Sequence, residues 1–199
     1  MAMWRQGLLL LVLALALTPF VAGASRPGED PAWAALAAGN HVVLIRHAAT
    51  VAGIGDPPGF RKADCSTQRN LSAEGRAAAK RIGDAFRNRR IAVSEVWSSR
   101  WCRCLDTARL AFGKVQPAAM LDSMFNDPEG SDEEKLRALK KALRKPPGGG
   151  NLVLVTHDAN INRLTGISVA SGEMVIASVD GQGNLKVVGR LQVDRQGPG

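Results

Sequence analysis

Two histidines, each closing an apolar run, carry the chemistry most easily read in this sequence. Arg46-His47-Ala48 follows the run at 42–45, and Thr156-His157-Asp158 follows the run at 152–155. Histidine is a nucleophile or proton carrier near neutral pH. Arginine presents a planar fork of donors that matches a phosphate. Continuous apolar runs of this length predict strands buried on both faces, as in a parallel sheet. Ligands of open α/β sheets bind at the carboxyl ends of such strands. If the two strands are parallel neighbours, both imidazoles emerge on one edge of the sheet. The chemistry that Arg46 and His47 suggest together is phosphoryl transfer.

A third segment lies between them, Ser98-Ser99-Arg100-Trp101-Cys102-Arg103-Cys104-Leu105-Asp106-Thr107-Ala108. It follows a predicted strand and opens a predicted helix, whose free amides and positive dipole end suit an anion. A purely structural role for Arg103 would be an ion pair with Asp106 at i+3.

The order and spacing of these segments resemble the histidine phosphatase superfamily, the phosphoglycerate mutase-like proteins. Arg46-His47-Ala48 is similar to the family's Arg-His-Gly signature, and Thr50 matches the threonine that follows it. Asn70-Leu71-Ser72-Ala73-Glu74-Gly75 resembles the Leu-Thr/Ser-x-x-Gly segment at the start of the next helix. Ser98, Ser99, Arg103, Thr107 and Ala108 match the Ser-Ser-x-x-x-Arg-x-x-x-Thr-Ala segment, and Val155-Thr156-His157 matches the second histidine. The resemblance runs from 41 to 165. It implies a phosphohistidine on His47, with Arg46, Arg103 and His157 clamping the phosphoryl oxygens and no metal or other cofactor. It also implies a small phosphorylated substrate. A mutase-type phosphotransferase and a non-catalytic phospholigand-binding relative are the alternatives. The leaving oxygen needs a general acid. In the acid phosphatase branch this is an aspartate after the second histidine, where Asp158 stands; Asp158 also suits an N-cap of the following helix. In the mutase branch a later glutamate serves, and Asp122, Asp127 and Glu129 occupy that region.

Two departures stand out. Ala48 replaces the usual glycine, and its methyl group either crowds the phosphate or is absorbed by the loop. Gly53 falls where mutases commonly carry a phosphate-binding asparagine, so the phosphate shell is thinner there or another group fills in, with Asn70, Arg61 and Lys62 as candidates; Arg61 and Lys62 also read as a solvated loop. Substrates left open include sugar phosphates, phosphorylated lipopolysaccharide sugars, nucleotides and inositol phosphates.

The elements that must position these residues read as follows. A short helix is expected over 31–38, a strand over 41–46, and a Gly/Pro-rich loop over 51–64. A helix capped by Ser72 follows over 73–89, with Leu71, Ala78, Ile82 and Phe86 as its apolar face. Strands at 91–98 and 118–121 flank a helix at 100–112 that ends at Gly113. Ser131 caps a charged helix to about 145, and a strand at 151–156 leads into a helix at 159–164. A hairpin at 174–179 and 185–191 closes the chain. Alternating strands and helices predict an α/β, three-layer domain with a mostly parallel central sheet and helices on both faces.

The chain has 199 residues, 45% hydrophobic and 22% charged, enough for one domain. Residues 1–24 resemble a signal peptide: Arg5, an apolar run at 8–17, and Ala22-Gly23-Ala24 as the cleavage site. The run is short for a membrane span and Pro19 follows it, so no stable membrane insertion is expected after cleavage. The phosphatase-like domain would occupy 25–199, in the periplasm or secreted. The net charge of +8 favours anionic partners. Its basic residues are dispersed rather than striped, and aromatics are only 5%, which argues against nucleic acid. The Arg87, Arg89, Arg90 cluster reads as a solvated face near a helix end. An oxidising compartment permits a disulfide. Cys102 and Cys104 are poorly placed to pair with each other on a helix, so Cys65 is expected to pair with one of them, leaving the other buried and free. Oligomeric state has no signature in the sequence.

Overall fold

The computed structural model describes residues 30–125 and 131–193. The predicted signal segment at 1–24, Asp127 and Glu129 lie outside them. Six strands form one sheet: β1 (Val42–Arg46), β2 (Val93–Ser98), β3 (Gln116–Pro117), β4 (Asn151–Thr156), β5 (Met174–Val179) and β6 (Leu185–Leu191), in the order β3-β2-β4-β1-β5-β6. The first four are parallel, and the β5–β6 hairpin adds antiparallel beside β1. The sheet is thus mixed, with the expected parallel core.

Strand alternation divides the core into two layers. Val43, Ile45, Val153 and Val155 pack toward α1 (Pro31–Ala38), α2 (Ala73–Asn88) and α3 (Cys102–Phe112), through Leu36, Ile82, Phe86, Ala108 and Ala111. Val42, Leu44, Leu152 and Leu154 pack toward α4 (Asp132–Leu143) and α5 (Asp158–Thr165), through Leu139, Leu143 and Ile161. Both faces of β1 and β4 are therefore covered, which is why their sequences are apolar without alternation.

Local signals explain most element ends. The Ser72 hydroxyl accepts from Gly75 N, Ser131 and Glu134 form a reciprocal capping box, and Gly113 and Gly166 end α3 and α5 in the left-handed conformation. Three expectations shift. The strand expected at 118–121 is only Gln116–Pro117, followed by a 3-10 turn at Ala119–Leu121 that buries Leu121 and Asp122 completely. Ala79, not Ala78, sits in the core face of α2. α3 begins at Cys102 rather than near 100, because Trp101 holds its N-cap position in extended conformation.

Gly75 fixes how α2 approaches the loop after β1. A Cβ there would lie 1.9 Å from the Ala49 carbonyl oxygen, a distance no side chain tolerates. The arginine cluster remains a solvated face: Arg87 pairs with Asp84, and Arg89 stacks 4.3 Å from the Trp33 ring.

Candidate active site

Strand register brings the two histidines together. Arg46 pairs with Thr156 across the parallel β1–β4 ladder, and His47 N donates to Thr156 O at 3.0 Å. The residues after each strand therefore leave the sheet side by side. The His47 and His157 rings stand 5.5 Å apart, centroid to centroid, at 71°.

They form the floor of a pocket of about 520 Å³, which Arg46, Arg69, Arg103, Asp56 and Asp158 also line. Both imidazoles are 5% exposed. Burial lowers the His47 pKa to about 3; the Ala48 carbonyl opposes this, and nearby Arg103, Arg46 and Arg69 add to the lowering. Burial, then His47 and the same cations, hold His157 well below its usual range. Both rings are neutral in the free pocket. Nδ1–H of His47 donates to Ala48 O at 2.9 Å, and its Nε2 lone pair has no hydrogen-bond partner among the described residues. His157 Nε2–H donates to Ser99 Oγ at 2.9 Å, and Ser99 Oγ donates to Asp122 at 3.3 Å.

The guanidinium groups are held from several directions. Arg46 Nη1 donates to Val169 O at 2.6 Å. Arg103 Nη1 reaches both carboxylate oxygens of Asp56, at 2.8 and 3.1 Å, and the pair is almost wholly buried. Arg69 Nη1 donates to Gly53 O. Asp56 also accepts from Trp101 Nε1 and from Arg69 N, both at 2.9 Å. The Nε atoms of Arg46, Arg69 and Arg103 are buried without a hydrogen-bond partner among the described residues. Buried donors left unpaired in this way are rare and call for a ligand or solvent acceptor. Three such donors around one pocket suit an oxyanion.

Thr107 explains the spacing Arg-x-x-x-Thr on α3. Its hydroxyl donates to Arg103 O at 2.7 Å and accepts from Ala48 N at 3.0 Å, pinning the loop after His47 to the helix that carries Arg103. Ala48 is fully buried and packs with Leu71 and Ala79 rather than lining the pocket, so its methyl group crowds nothing there. The sequence alternative for Arg103 does not hold. Asp106 pairs with Arg76 and Arg109 instead.

Several expected residues lie elsewhere. Thr50 bridges Leu71 in a short antiparallel contact, and Asn70 Nδ2 donates to Cys65 O at 2.6 Å; neither lines the pocket. Arg61 is exposed and paired with Asp64. Lys62 is not a solvated loop residue: it lies 4.6 Å from the Trp101 ring centroid and 3.7 Å from Asp122. The first amides of the 98–104 segment do not face the pocket, since Arg100 N binds Asp122, Trp101 N binds Ser99 Oγ and Cys102 N binds Gln68 Oε1. The guanidinium groups, and not these amides at the start of α3, are the donors that line the pocket.

Among the acid candidates, Asp158 lines the pocket. It is the first residue of α5 and not its N-cap, and its Oδ1 accepts from Val169 N at 2.7 Å. Asp122 is fully buried and bound by the Arg100 guanidinium, away from the cavity. Arg69 and Asp56 are the charged pocket residues that sequence reasoning missed. They lie in irregular segments where periodicity gives no facing rule. The only available signal was two opposite charges flanking the loop whose Gly53 lacked a phosphate-binding side chain.

Cys65 and Cys102 form a disulfide with Cα atoms 5.7 Å apart, and Cys104 is free and buried. Burial pushes the Cys104 thiol up to about 12, which keeps it protonated and inert. The disulfide ties the segment that bears Arg69 to the start of the helix that bears Arg103.

A family model described as histidine phosphatase superfamily (branch 1) matches residues 42–134. That segment of the chain, from the start of β1 into α4, is similar to this superfamily. Its fold is similar to the protein histidine phosphatase SixA complexed with tungstate, at 12% identity and a TM-score of 0.54, over 76% of this chain and 96% of that one. It is also similar to the phosphohistidine phosphatase SixA assigned in Agrobacterium tumefaciens, at 20% identity and a TM-score of 0.53, over 77% of this chain and 98% of that one. Rv3214 from Mycobacterium tuberculosis matches at 16% identity and a TM-score of 0.53, over 75% of this chain and 95% of that one. No curated protein sequence matches the chain. Among the described residues, no helix is long and apolar enough to cross a membrane, and no group of three or more His, Cys, Asp or Glu is placed to hold a metal ion.

Proposed function

We propose that this protein hydrolyses phosphomonoesters through a phosphohistidine formed on Nε2 of His47. The observation that carries the reading is the orientation of His47. Its Nδ1–H is committed to Ala48 O, and its Nε2 stands unprotonated in a pocket with three guanidinium groups. In the first step Nε2 attacks phosphorus, and the bond from phosphorus to the ester oxygen breaks. Asp158, protonated, gives its proton to the leaving alkoxide; Oδ2 makes no hydrogen bond among the described residues. In the second step water attacks phosphorus, Asp158 takes the water's proton, and the P–N bond breaks to return neutral His47 and free phosphate. Arg46, Arg103 and Arg69 neutralise charge on the equatorial oxygens, and His157 takes a proton from solvent as the anion binds and donates a hydrogen bond to them. Phosphoryl transfer depends on this positioning and charge stabilisation.

His47→Ala should abolish turnover, and His157→Ala and Arg103→Ala should each lower kcat/KM by at least about 100-fold. Release of inorganic phosphate, rather than transfer to a second alcohol, separates hydrolase from mutase. Full activity of His47→Ala rejects the mechanism. The N-terminal segment and the Cys65–Cys102 disulfide support a periplasmic or secreted location. N-terminal sequencing of the mature protein tests this; a start near Ser25 is expected, and an intact Met1 contradicts it.

A further inference from the structure

We infer that the pocket selects phosphomonoesters whose alcohol is an apolar alkyl or aryl body over esters of polyhydroxylated alcohols such as sugars. The inference rests on the phosphomonoester reading of the same pocket. Among the described residues, Val51, Ile54, Phe125 and Val188 are the strongly exposed large apolar side chains. Two of them, Ile54 at 94% and Phe125 at 55%, line this one cavity, and Val51 stands on the same loop as Ile54. Half-buried Phe60 lines the cavity as well, 5.7 Å from the Trp101 ring. Single exposed apolar side chains are ordinary, but several around one binding cavity mark a contact surface.

The pocket's uncommitted polar atoms, the arginine Nε atoms and Asp158 Oδ2, serve the phosphate and the leaving oxygen in the proposed reaction, and the polar side chains beside Ile54 and Phe125 are taken. Ser123 Oγ donates to Phe125 O and accepts from Phe125 N. Asp56 is saturated by Arg103, Trp101 and Arg69, and Arg69 Nη1 holds Gly53 O. A sugar hydroxyl leaving the phosphate would therefore meet side chains with nothing to offer it, whereas a hydrocarbon would cover Ile54 and Phe125. The cavity, at about 520 Å³, has the size of sites that enclose a whole small ligand.

The test compares kcat/KM for n-hexyl phosphate and glycerol 3-phosphate, both primary alkyl esters, so that leaving-group reactivity does not decide the outcome. Burying about two methylene groups predicts roughly tenfold preference for the hexyl ester. Ile54→Ser and Phe125→Ser, both at exposed positions, should each reduce that ratio about threefold or more. Binding of n-hexylphosphonate and methylphosphonate, measured by calorimetry, gives the same comparison without turnover. If neither ester is hydrolysed, the phosphatase reading fails while the phosphonate pair still judges the rim. Equal or weaker binding and turnover of the hexyl ligands, or a ratio insensitive to both substitutions, overturns the inference.

Discussion

Asp56→Asn should tighten phosphate binding, because Asp56 is an internal anion beside the phosphate site. Its two carboxylate oxygens accept from Nη1 of Arg103, at 2.8 and 3.1 Å, inside the pocket. A phosphoryl oxygen accepting from another nitrogen of Arg103 would place phosphorus about 6 Å away, given two hydrogen bonds across a guanidinium. At that separation, with an effective dielectric of about 20–40, each unit of phosphate charge is opposed by about 1–3 kcal/mol. Asparagine with its oxygen at the Oδ2 place keeps an acceptor for Arg103 and for the Trp101 indole N–H while removing the charge, at the loss of the acceptor for Arg69 N. The dissociation constant of inorganic phosphate, titrated calorimetrically at constant ionic strength, should fall by about tenfold or more. Asp56→Ala removes the charge and the acceptor together, so its gain should be smaller. Equal or weaker binding by the asparagine variant would refute the reasoning and make Asp56 chiefly a brace for Arg103.

Other outcomes follow from the same geometry. Because the folded-state His47 pKa is lowered to about 3, the unfolded chain binds a proton that the folded chain refuses between about pH 6.5 and 3. Stability should therefore fall as pH drops through that window, and urea midpoints measured at pH 7, 5 and 4 check it; a flat profile contradicts the buried neutral state. Oxyanion binding should draw a proton onto His157, so the apparent binding enthalpy at pH 6 should vary with the ionisation enthalpy of the buffer. Replacing Cys65 and Cys102 by serine opens a loop of 37 residues and should cost about 3–4 kcal/mol of unfolding free energy in denaturant titrations. Gly75→Ala drives a methyl group into Ala49 O and should lower Tm by several degrees while raising KM, since Ala49 follows the His47 loop directly.

The parallel core, both strand-end histidines and the helix carrying Arg103 were legible because each rests on a local pattern. Apolar runs mark doubly covered strands, and Ser72 and Ser131 mark helix starts. The pairing of β1 with β4 was readable only as a condition, since nothing local specifies which buried strands become neighbours. The short β3 was misplaced because Ala118-Ala119-Met120-Leu121 has an apolar run's composition but turns inward at Leu121. Asp56 and Arg69 were illegible for a related reason. They meet across 13 residues of irregular chain, where neither a period of two nor one of 3.6 says which way a side chain faces. Asn70 and Thr50 carried the opposite error. Their positions match a pattern, but the Asn70 side chain bonds Cys65 O, the Thr50 backbone bridges Leu71, and neither residue lines the pocket.

The central claim is a covalent phosphoryl group on His47, and chemical quench followed by peptide mapping tests it directly. Brief incubation with a radiolabelled phosphomonoester, stopped in alkali, should place acid-labile, base-stable label on the peptide containing His47, at Nε2, and none on that peptide in His47→Ala. Turnover that proceeds with no label on His47, or with label on another residue, would contradict the account.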